Sequence, residues 1–129
     1  MKDENALSVK PVVIAAVDDI FFSAKIDSAA RIVGAELRQA TDAQKLEEQL
    51  ASMTPTLIIL DLNSKTCAPL QAIRRIKADP RIRDTPLVGF LSHVQVDLHE
   101  AAKEAGCDQI LPRSIFSANL AQILRTGKP

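Results

Sequence analysis

Three short apolar runs constrain the fold of this 129-residue chain more than any other feature. They lie at residues 12–17, 57–60 and 87–91 and are rich in branched side chains. They do not alternate with polar residues, as is typical of strands that are buried on both faces of a parallel sheet. Two weaker strands are predicted at residues 36–40 and 109–111. The pattern therefore predicts five strands.

Apolar residues at helical spacing follow each of these strands. Gly34 and Gly106 are placed to end the first and fourth helices, and the third helix should end before Pro80. Thr41 and Asp42 are the candidate caps of the second helix. The apolar positions of the five helices are Ile26, Ala29, Ala30 and Val33; Ala43, Leu46 and Leu50; Leu70, Ile73 and Ile76; Leu98, Ala101, Ala102 and Ala105; and Phe116, Leu120, Ile123 and Leu124.

The alternation of strand and helix predicts an α/β fold with a parallel sheet and helices on both of its faces. Five such units with right-handed crossovers fit the flavodoxin-like (βα)5 arrangement with strand order 2-1-3-4-5. We expect residues 1–129 to form one domain with a core from about residue 12 to about residue 125.

Polar residues follow four of the predicted strands at the point where each strand ends. Asp18 and Asp19 follow the first, Asp61 the third, Ser92 the fourth and Arg113 the fifth. Ligands of open parallel sheets bind at the carboxyl ends of the strands, near the switch in strand order. Because the first and third strands are neighbours in the predicted order, we expect three carboxylates at one edge of the sheet.

Carboxylates that lie close together resist ionisation unless a cation compensates their charge. Oxygen ligands with room for water suit Mg²⁺, whereas softer metals favour His or Cys. An aspartate beside bound Mg²⁺ can attack phosphorus and form an acyl phosphate. Ser92 could then donate a hydrogen bond to the phosphoryl oxygens, and Arg113 could offset their charge.

Each of these residues also has a purely structural interpretation. Asp18 and Asp19 could cap the first helix, Asp61 could close the loop before the third helix, and Arg113 could be a solvated loop charge. The functional interpretation rests on their shared location at one end of the predicted strands.

Composition excludes several other classes of function. The 16 basic and 16 acidic residues give no basic stripe for nucleic acid and no polybasic segment for a membrane. With four Phe, no Trp and no Tyr, base stacking is not expected. Cys67 and Cys107 lack the spacing of a metal or redox pair, which indicates two reduced thiols. Without a signal peptide or an apolar run of about 20 residues, we expect a soluble cytoplasmic protein.

The chain resembles the response-regulator receiver family, the chemotaxis-type phosphoacceptor domain, over nearly its whole length. By this resemblance Asp61 is the phosphoacceptor, and Asp18, Asp19 and Asp61 bind the metal together with the backbone carbonyl of Asn63. Ser92 matches the hydroxyl position of the family's switch. The matching stretches are Val-Asp-Asp at 17–19, Leu-Ile-Ile-Leu-Asp-Leu-Asn at 57–63, Phe-Leu-Ser at 90–92 and Ala-Gly-Cys-Asp at 105–108.

The resemblance implies a stand-alone receiver of a two-component phosphorelay, phosphorylated with Mg²⁺. Its partners would be a histidine kinase or phosphotransfer protein and a downstream target protein, and it would be a monomer or homodimer. It would catalyse at most its own phosphorylation and dephosphorylation. The alternative is a degenerate receiver that acts as a phosphorylation-independent interaction module. A third class is a phosphatase or small-ligand enzyme, although a haloacid-dehalogenase-type enzyme would need Asp-x-Asp after its first strand.

The chain departs from the family after its fifth strand. The family has Lys-Pro there, and this chain has Arg113-Ser114 with Pro112 in front. A register shifted by one residue would match Pro112 to the family's proline and leave Leu111 without a cation. A cis bond before Ser114 would cost about 3–4 kcal/mol, so we expect a trans bond, an altered loop and an Arg113 that can point away from the site.

Two further departures concern the switch and the loop after the phosphoacceptor. Ile110 stands where many receivers have an aromatic switch residue, so an aromatic rotamer switch cannot operate. The 63–69 loop lacks the family's Met-Pro and Asp-Gly features, and we expect its turns to differ. His93, beside Ser92, is expected to be a solvent-facing loop residue, with approach to the site as the alternative.

Overall fold

Five strands alternate with helices along residues 10–92 and 95–129, which this computed structural model describes. The strands and the helices that follow them are β1 (Val12–Ala16), α1 (Ile20–Val33), β2 (Glu36–Ala40), α2 (Ala43–Ser52), β3 (Leu57–Asp61), α3 (Pro69–Lys77), β4 (Leu87–Leu91), α4 (Val96–Ala105), β5 (Gln109–Pro112), α5 (Arg113–Ala118) and α6 (Leu120–Thr126). Within the described parts of the chain, no helix combines the length and the apolar character that a membrane crossing requires.

The strands form one parallel sheet in the order β2-β1-β3-β4-β5. In the register, Ala16 of β1 lies beside Leu60 of β3, and Asp61 lies beside Phe90 of β4. The carboxyl ends of β1, β3 and β4 therefore meet at one edge. The predicted fold class and strand order are confirmed.

Two apolar layers cover the faces of the sheet, because successive side chains of a strand point to opposite faces. Ile14 and Ile58 contribute to the layer under α2, α3 and α4, whereas Val13 and Ile59 contribute to the layer under α1, α5 and α6. The buried helical residues of the first layer are Leu46, Leu50, Ala72, Ile73, Ile76 and Ala102. Those of the second layer are Phe22, Ile26, Ala30, Phe116, Leu120, Ile123 and Leu124.

The helix ends follow the signals in the sequence. Gly34, at φ 78°, and Gly106, at φ 112°, adopt the left-handed conformation that ends α1 and α4. Helix α3 ends at Lys77, ahead of Pro80. Of the two candidate caps of α2, it is Asp42 whose carboxylate accepts a hydrogen bond from the Lys45 N–H, at 2.8 Å.

The last predicted helix differs from the expectation, because Asn119 divides it into α5 and α6. Asn119 has φ −116° and ψ 22°, and its side-chain Nδ2 donates to the Ile115 carbonyl at 2.9 Å. The Ile115 carbonyl also accepts the Asn119 backbone N–H at 3.1 Å, so the helical bonding reaches Asn119 and the break lies in the backbone angles of this residue. Phe116 and Leu120 are buried on either side of the break, so the apolar period runs through it unchanged.

Candidate functional site

Asp61, the last residue of β3, carries a buried carboxylate that is 2% exposed. Its Oδ1 accepts a hydrogen bond from the Asn63 backbone N–H at 2.9 Å. Burial raises the pKa of Asp61 above its ordinary value, against the opposing effects of the Asn63 N–H and the positive charge of Arg113. The nearby charges of Asp18 and Asp19 raise it further. The site therefore holds a carboxylate whose ionised form depends on nearby positive charge.

The two carboxylate oxygens of Asp19 make different contacts. Oδ1 caps α1 by accepting hydrogen bonds from the N–H groups of Phe21 and Phe22 at 2.9 and 3.1 Å. Oδ2 lies 3.7 Å from Nη1 of Arg113. The capping interpretation and the functional one are thus compatible, since each uses a different oxygen.

Asp18 faces the loop that follows β3. Its Oδ2 accepts hydrogen bonds from Ser64 Oγ at 2.8 Å, Thr66 Oγ1 at 2.9 Å, and the backbone N–H groups of Lys65 and Thr66 at 3.0 and 3.3 Å. Burial acts to raise the pKa of Asp18, but these hydrogen bonds outweigh it and hold the pKa below its ordinary value. Asp18 is therefore engaged by the protein itself.

This engagement bears on the predicted metal set. Among residues 10–92 and 95–129, no three His, Cys, Asp or Glu side chains are grouped so as to hold a metal ion. Asp18, Asp19 and Asp61 thus share one edge of the sheet without forming a ready three-carboxylate set. Two carboxylates and a backbone carbonyl still fit Mg²⁺, which commonly binds through one or two carboxylates and keeps several waters. Asp19, Asp61 and the Asn63 carbonyl are the residues present that fit this smaller set.

Arg113, the first residue of α5, turns toward the acidic residues. In addition to the contact with Asp19, its guanidinium carbon lies 5.0 Å from the ring centroid of Phe22 and 5.8 Å from that of Phe90. The expectation that Arg113 can point away is therefore wrong in this structure, because a planar guanidinium can stack on a ring face while it reaches a carboxylate. The peptide bond before Ser114 is trans, as expected, like all others in the described residues.

The rings under Arg113 form an aromatic trio of Phe22, Phe90 and Phe116. The ring centroid of Phe90 lies 4.7 Å from that of Phe22 and 4.5 Å from that of Phe116. The centroids of Phe22 and Phe116 are 5.7 Å apart. The sequence interpretation used these residues only as core positions. Their proximity to site residues was an available signal, since Phe22 follows Asp19 by three residues and Phe116 follows Arg113 by three.

Asn63 joins the ends of β3 and β4. Its side-chain Oδ1 accepts from the Ser92 backbone N–H at 2.8 Å, and its Nδ2 donates to Gln95 Oε1 at 2.8 Å. The sequence interpretation considered only its backbone carbonyl and missed this amide contact. Ser92 lies exposed directly after β4, and His93 lies outside the described residues.

The 63–69 loop is held by hydroxyl groups that the sequence interpretation also missed. Thr66 Oγ1 lies 2.7 Å from the Thr41 carbonyl and shares its proton between that oxygen and Asp18 Oδ2, and Ser64 Oγ accepts from the Cys67 N–H at 3.0 Å. Ala68 then adopts φ 49° before Pro69 opens α3. The Ser and Thr residues after Asp61 were the available signal, since short hydroxyl side chains favour such local hydrogen bonds.

Comparisons with known proteins identify the fold. No family model matches the sequence, and no curated protein matches it. Among solved structures, the chemotaxis response regulator CheY4 of Vibrio cholerae has 16% identity and a TM-score of 0.80, covering 91% of this chain and 98% of its own. The phosphorylated cyanobacterial phytochrome response regulator RcpA has 20% identity and a TM-score of 0.76, covering 91% and 90%.

A third match is the receiver domain of a sensor histidine kinase from Pseudomonas aeruginosa with a magnesium ion coordinated in its active-site cleft. It has 18% identity and a TM-score of 0.79, covering 91% of this chain and 96% of its own. At these identities the likeness establishes the fold. The chain has the fold of response-regulator receiver domains, and the resemblance seen in the sequence is confirmed at that level.

Proposed function

We propose that this chain is a receiver module of a two-component phosphorelay in which Asp61 accepts a phosphoryl group. The observation that carries the proposal is the buried Asp61 carboxylate at the carboxyl end of β3, on a receiver fold, with the Asp19–Arg113 pair beside it. The structural neighbours include a phosphorylated response regulator and a magnesium-bound receiver domain.

Asp61 is the nucleophile in this proposal. One of its oxygens forms the bond to phosphorus while the bond from phosphorus to the donor breaks, and the donor leaves with the electron pair. The Asn63 N–H holds Oδ1 and so orients the carboxylate. The positive charge of Arg113 favours the ionised form that the attack requires.

The metal set of the proposal is Asp19, Asp61 and the Asn63 backbone carbonyl, with Asp18 as the fourth predicted member. Bound Mg²⁺ would supply positive charge to the phosphoryl oxygens and to the ionised acids. Asp19 Oδ2 is the oxygen that would face this metal, since the helix cap uses Oδ1 and the contact of Oδ2 with Arg113 is long, at 3.7 Å.

Ser92 and Arg113 are the proposed contacts of the attached phosphoryl group. The Ser92 hydroxyl can donate a hydrogen bond, and the Arg113 guanidinium can donate charge-assisted ones. A histidine kinase or phosphotransfer protein is the proposed donor, and a downstream target protein would recognise the changed surface.

The proposal is tested with beryllofluoride, a stable mimic of a phosphoryl group on aspartate, in the presence of Mg²⁺. We expect amide shifts in wild type that cluster at residues 61, 63 and 92, and none of them in Asp61→Asn. Asp84→Asn is the matched control, because it makes the same change at an exposed carboxylate. Equal responses of wild type and Asp61→Asn would show that the nucleophile is assigned incorrectly.

A phosphorylation-independent interaction module is the second candidate function. Two observations favour it: Asp18 is engaged by the loop after β3, and the described residues hold no three-ligand group. A wild-type protein that gives no response to beryllofluoride and Mg²⁺, under conditions where a standard receiver responds, would favour this function over the first.

A further inference from the structure

We propose that Asp18 is a positioning residue: Oδ2 of its carboxylate holds residues 64–66, and through them Asn63, against the carboxyl end of the sheet. This role rests on the proposed function only in that Asn63 adjoins the proposed phosphoacceptor. It goes beyond the resemblance, which assigns Asp18 only to the metal.

Four hydrogen bonds converge on one oxygen, Oδ2 of Asp18. Two come from the hydroxyl groups of Ser64 and Thr66, and two come from the backbone N–H groups of Lys65 and Thr66. Hydrogen bonds to an ionised carboxylate are stronger than those between neutral groups. To bind a metal through this oxygen, Asp18 would have to give up several of these bonds and leave loop donors without a partner.

The segment that Asp18 holds is tied to a second loop as well. Thr66 Oγ1 also lies 2.7 Å from the Thr41 carbonyl and shares its single proton between that oxygen and Asp18 Oδ2. The Thr66 carbonyl accepts from the Ala43 N–H at 2.8 Å. Ser64 is itself buried, at 8% exposed, and accepts from the Cys67 N–H. Asp18 is thus the point where the ends of β1, β2 and β3 are held together.

Asn63 is the residue on which this arrangement acts. It directly precedes Ser64, its N–H donates to Asp61, and its side chain contacts the Ser92 N–H and Gln95. If residues 64–66 are released from Asp18, the backbone of Asn63 is no longer held in place from its C-terminal side. Asp18 therefore fixes the residue that joins the acceptor carboxylate to the end of β4.

The test compares two readouts on the full chain: amide hydrogen exchange at Lys65 and Thr66, and Mg²⁺ affinity by calorimetry. We expect Asp18→Ala to speed exchange at both amides at least about tenfold, because the bonds that protect them are lost. The exchange rates in Asp18→Asn should lie between those of wild type and Asp18→Ala, since the amide oxygen still accepts hydrogen bonds but carries no charge. Mg²⁺ affinity should fall in both Asp18→Ala and Asp19→Ala, because Asp18 positions the Asn63 carbonyl, but only Asp18→Ala should speed exchange at Lys65 and Thr66.

A second pair of variants keeps the test sharp if Asp18→Ala folds poorly. Ser64→Ala combined with Thr66→Val removes the two hydroxyl donors and leaves Asp18 in place. This double variant should speed exchange at Lys65. When Asp18→Asn is combined with it, the total effect on the exchange rate should be smaller than the sum of the separate effects, because the residues act through the same bonds.

The outcomes separate this inference from the proposed function. If exchange at Lys65 and Thr66 in Asp18→Ala stays at the wild-type rate, or rises equally in Asp19→Ala, Asp18 does not hold this loop and the inference is overturned. If wild type binds no Mg²⁺, the metal part of the proposed function fails, and the exchange rates alone decide the role of Asp18.

Discussion

Asn63 Oδ1 accepts a hydrogen bond from the Ser92 backbone N–H at 2.8 Å, which joins the loop after the candidate acceptor to the end of β4. We predict that Asn63→Ala lowers the free energy of unfolding by about 1 kcal/mol, because the hydrogen bonds of the Asn63 side chain to the Ser92 N–H and to Gln95 are lost. Urea unfolding measures the loss. In the beryllofluoride experiment the variant should respond at residue 61 but much less at residue 92.

Asn119→Ala is the control for this prediction. It also removes a side-chain hydrogen bond, from Nδ2 to the Ile115 carbonyl at 2.9 Å, but at the break between α5 and α6. It should leave the Ser92 response intact. A full Ser92 response in Asn63→Ala would show that the side-chain amide does not couple the two loops.

Burial of Asp61 makes the stability depend on pH. Its pKa is raised in the folded state, so between the unfolded and folded pKa values the folded protein binds more protons than the unfolded chain. The contribution of Asp61 to the free energy of unfolding therefore falls as the pH rises through this window, from about pH 4 upward. Asp61→Asn removes the titrating group and should raise the free energy of unfolding near neutral pH.

Urea unfolding of wild type and Asp61→Asn at several pH values measures this effect. The advantage of the variant should shrink toward acid pH, where Asp61 is protonated in the folded protein. Asp84→Asn, which makes the same change at an exposed carboxylate, is the control. If the stability difference between Asp61→Asn and wild type instead grew toward acid pH, it would contradict a raised pKa of Asp61.

Arg113 acts on Asp61 through its charge, which lowers the pKa of that carboxyl against the effect of burial. We predict that Arg113→Ala raises the pKa of Asp61 further and that Arg113→Lys gives a smaller rise, because Lys keeps the charge but not the planar contact with the rings. Carbon-13 spectra of the Asp61 carboxyl during a pH titration report the change.

Lys25→Ala is the matched control for Arg113. The Lys25 ammonium also lies over the Phe22 ring, at 5.8 Å, but it is paired with Ser117. Its loss should leave the pKa of Asp61 nearly unchanged. If Arg113→Ala and Lys25→Ala have the same effect, the Arg113 charge has no specific role at the site.

The aromatic trio should contribute much of the stability around the site. Phe116→Ala is expected to lower the free energy of unfolding by about 3–5 kcal/mol, since Phe116 is fully buried against two other rings. Phe21→Ala makes the same chemical change at a side chain that is 85% exposed, and its effect should stay within about 0.5 kcal/mol. Chemical denaturation of the two variants measures the contrast, and similar losses would contradict this description of the core.

The sequence predicted the sheet because its central strands are buried on both faces. Runs such as residues 57–60 show this burial directly, and Gly34 and Gly106 mark helix ends through a conformation that glycine adopts most readily. The break at Asn119 escaped prediction because the apolar period continues through it, while the break lies in the backbone angles of one residue.

The site was predicted in position but not in detail. Strand ends place Asp18, Asp19 and Asp61 at one edge, whereas the direction of each side chain depends on residues far away in the sequence. Asp18 faces hydroxyl groups 46 and 48 residues further on. Arg113 is turned inward by Asp19 and by rings that belong to α1 and β4.

The most direct test of the central claim, that Asp61 accepts a phosphoryl group, is to locate the modification. The protein is incubated with acetyl phosphate and Mg²⁺, the acyl phosphate is reduced with borohydride, and the peptides are analysed by mass spectrometry. We predict that Asp61 is the modified residue and that Asp61→Asn is not modified. Modification at another carboxylate, or none in wild type where a standard receiver is labelled, would contradict the claim.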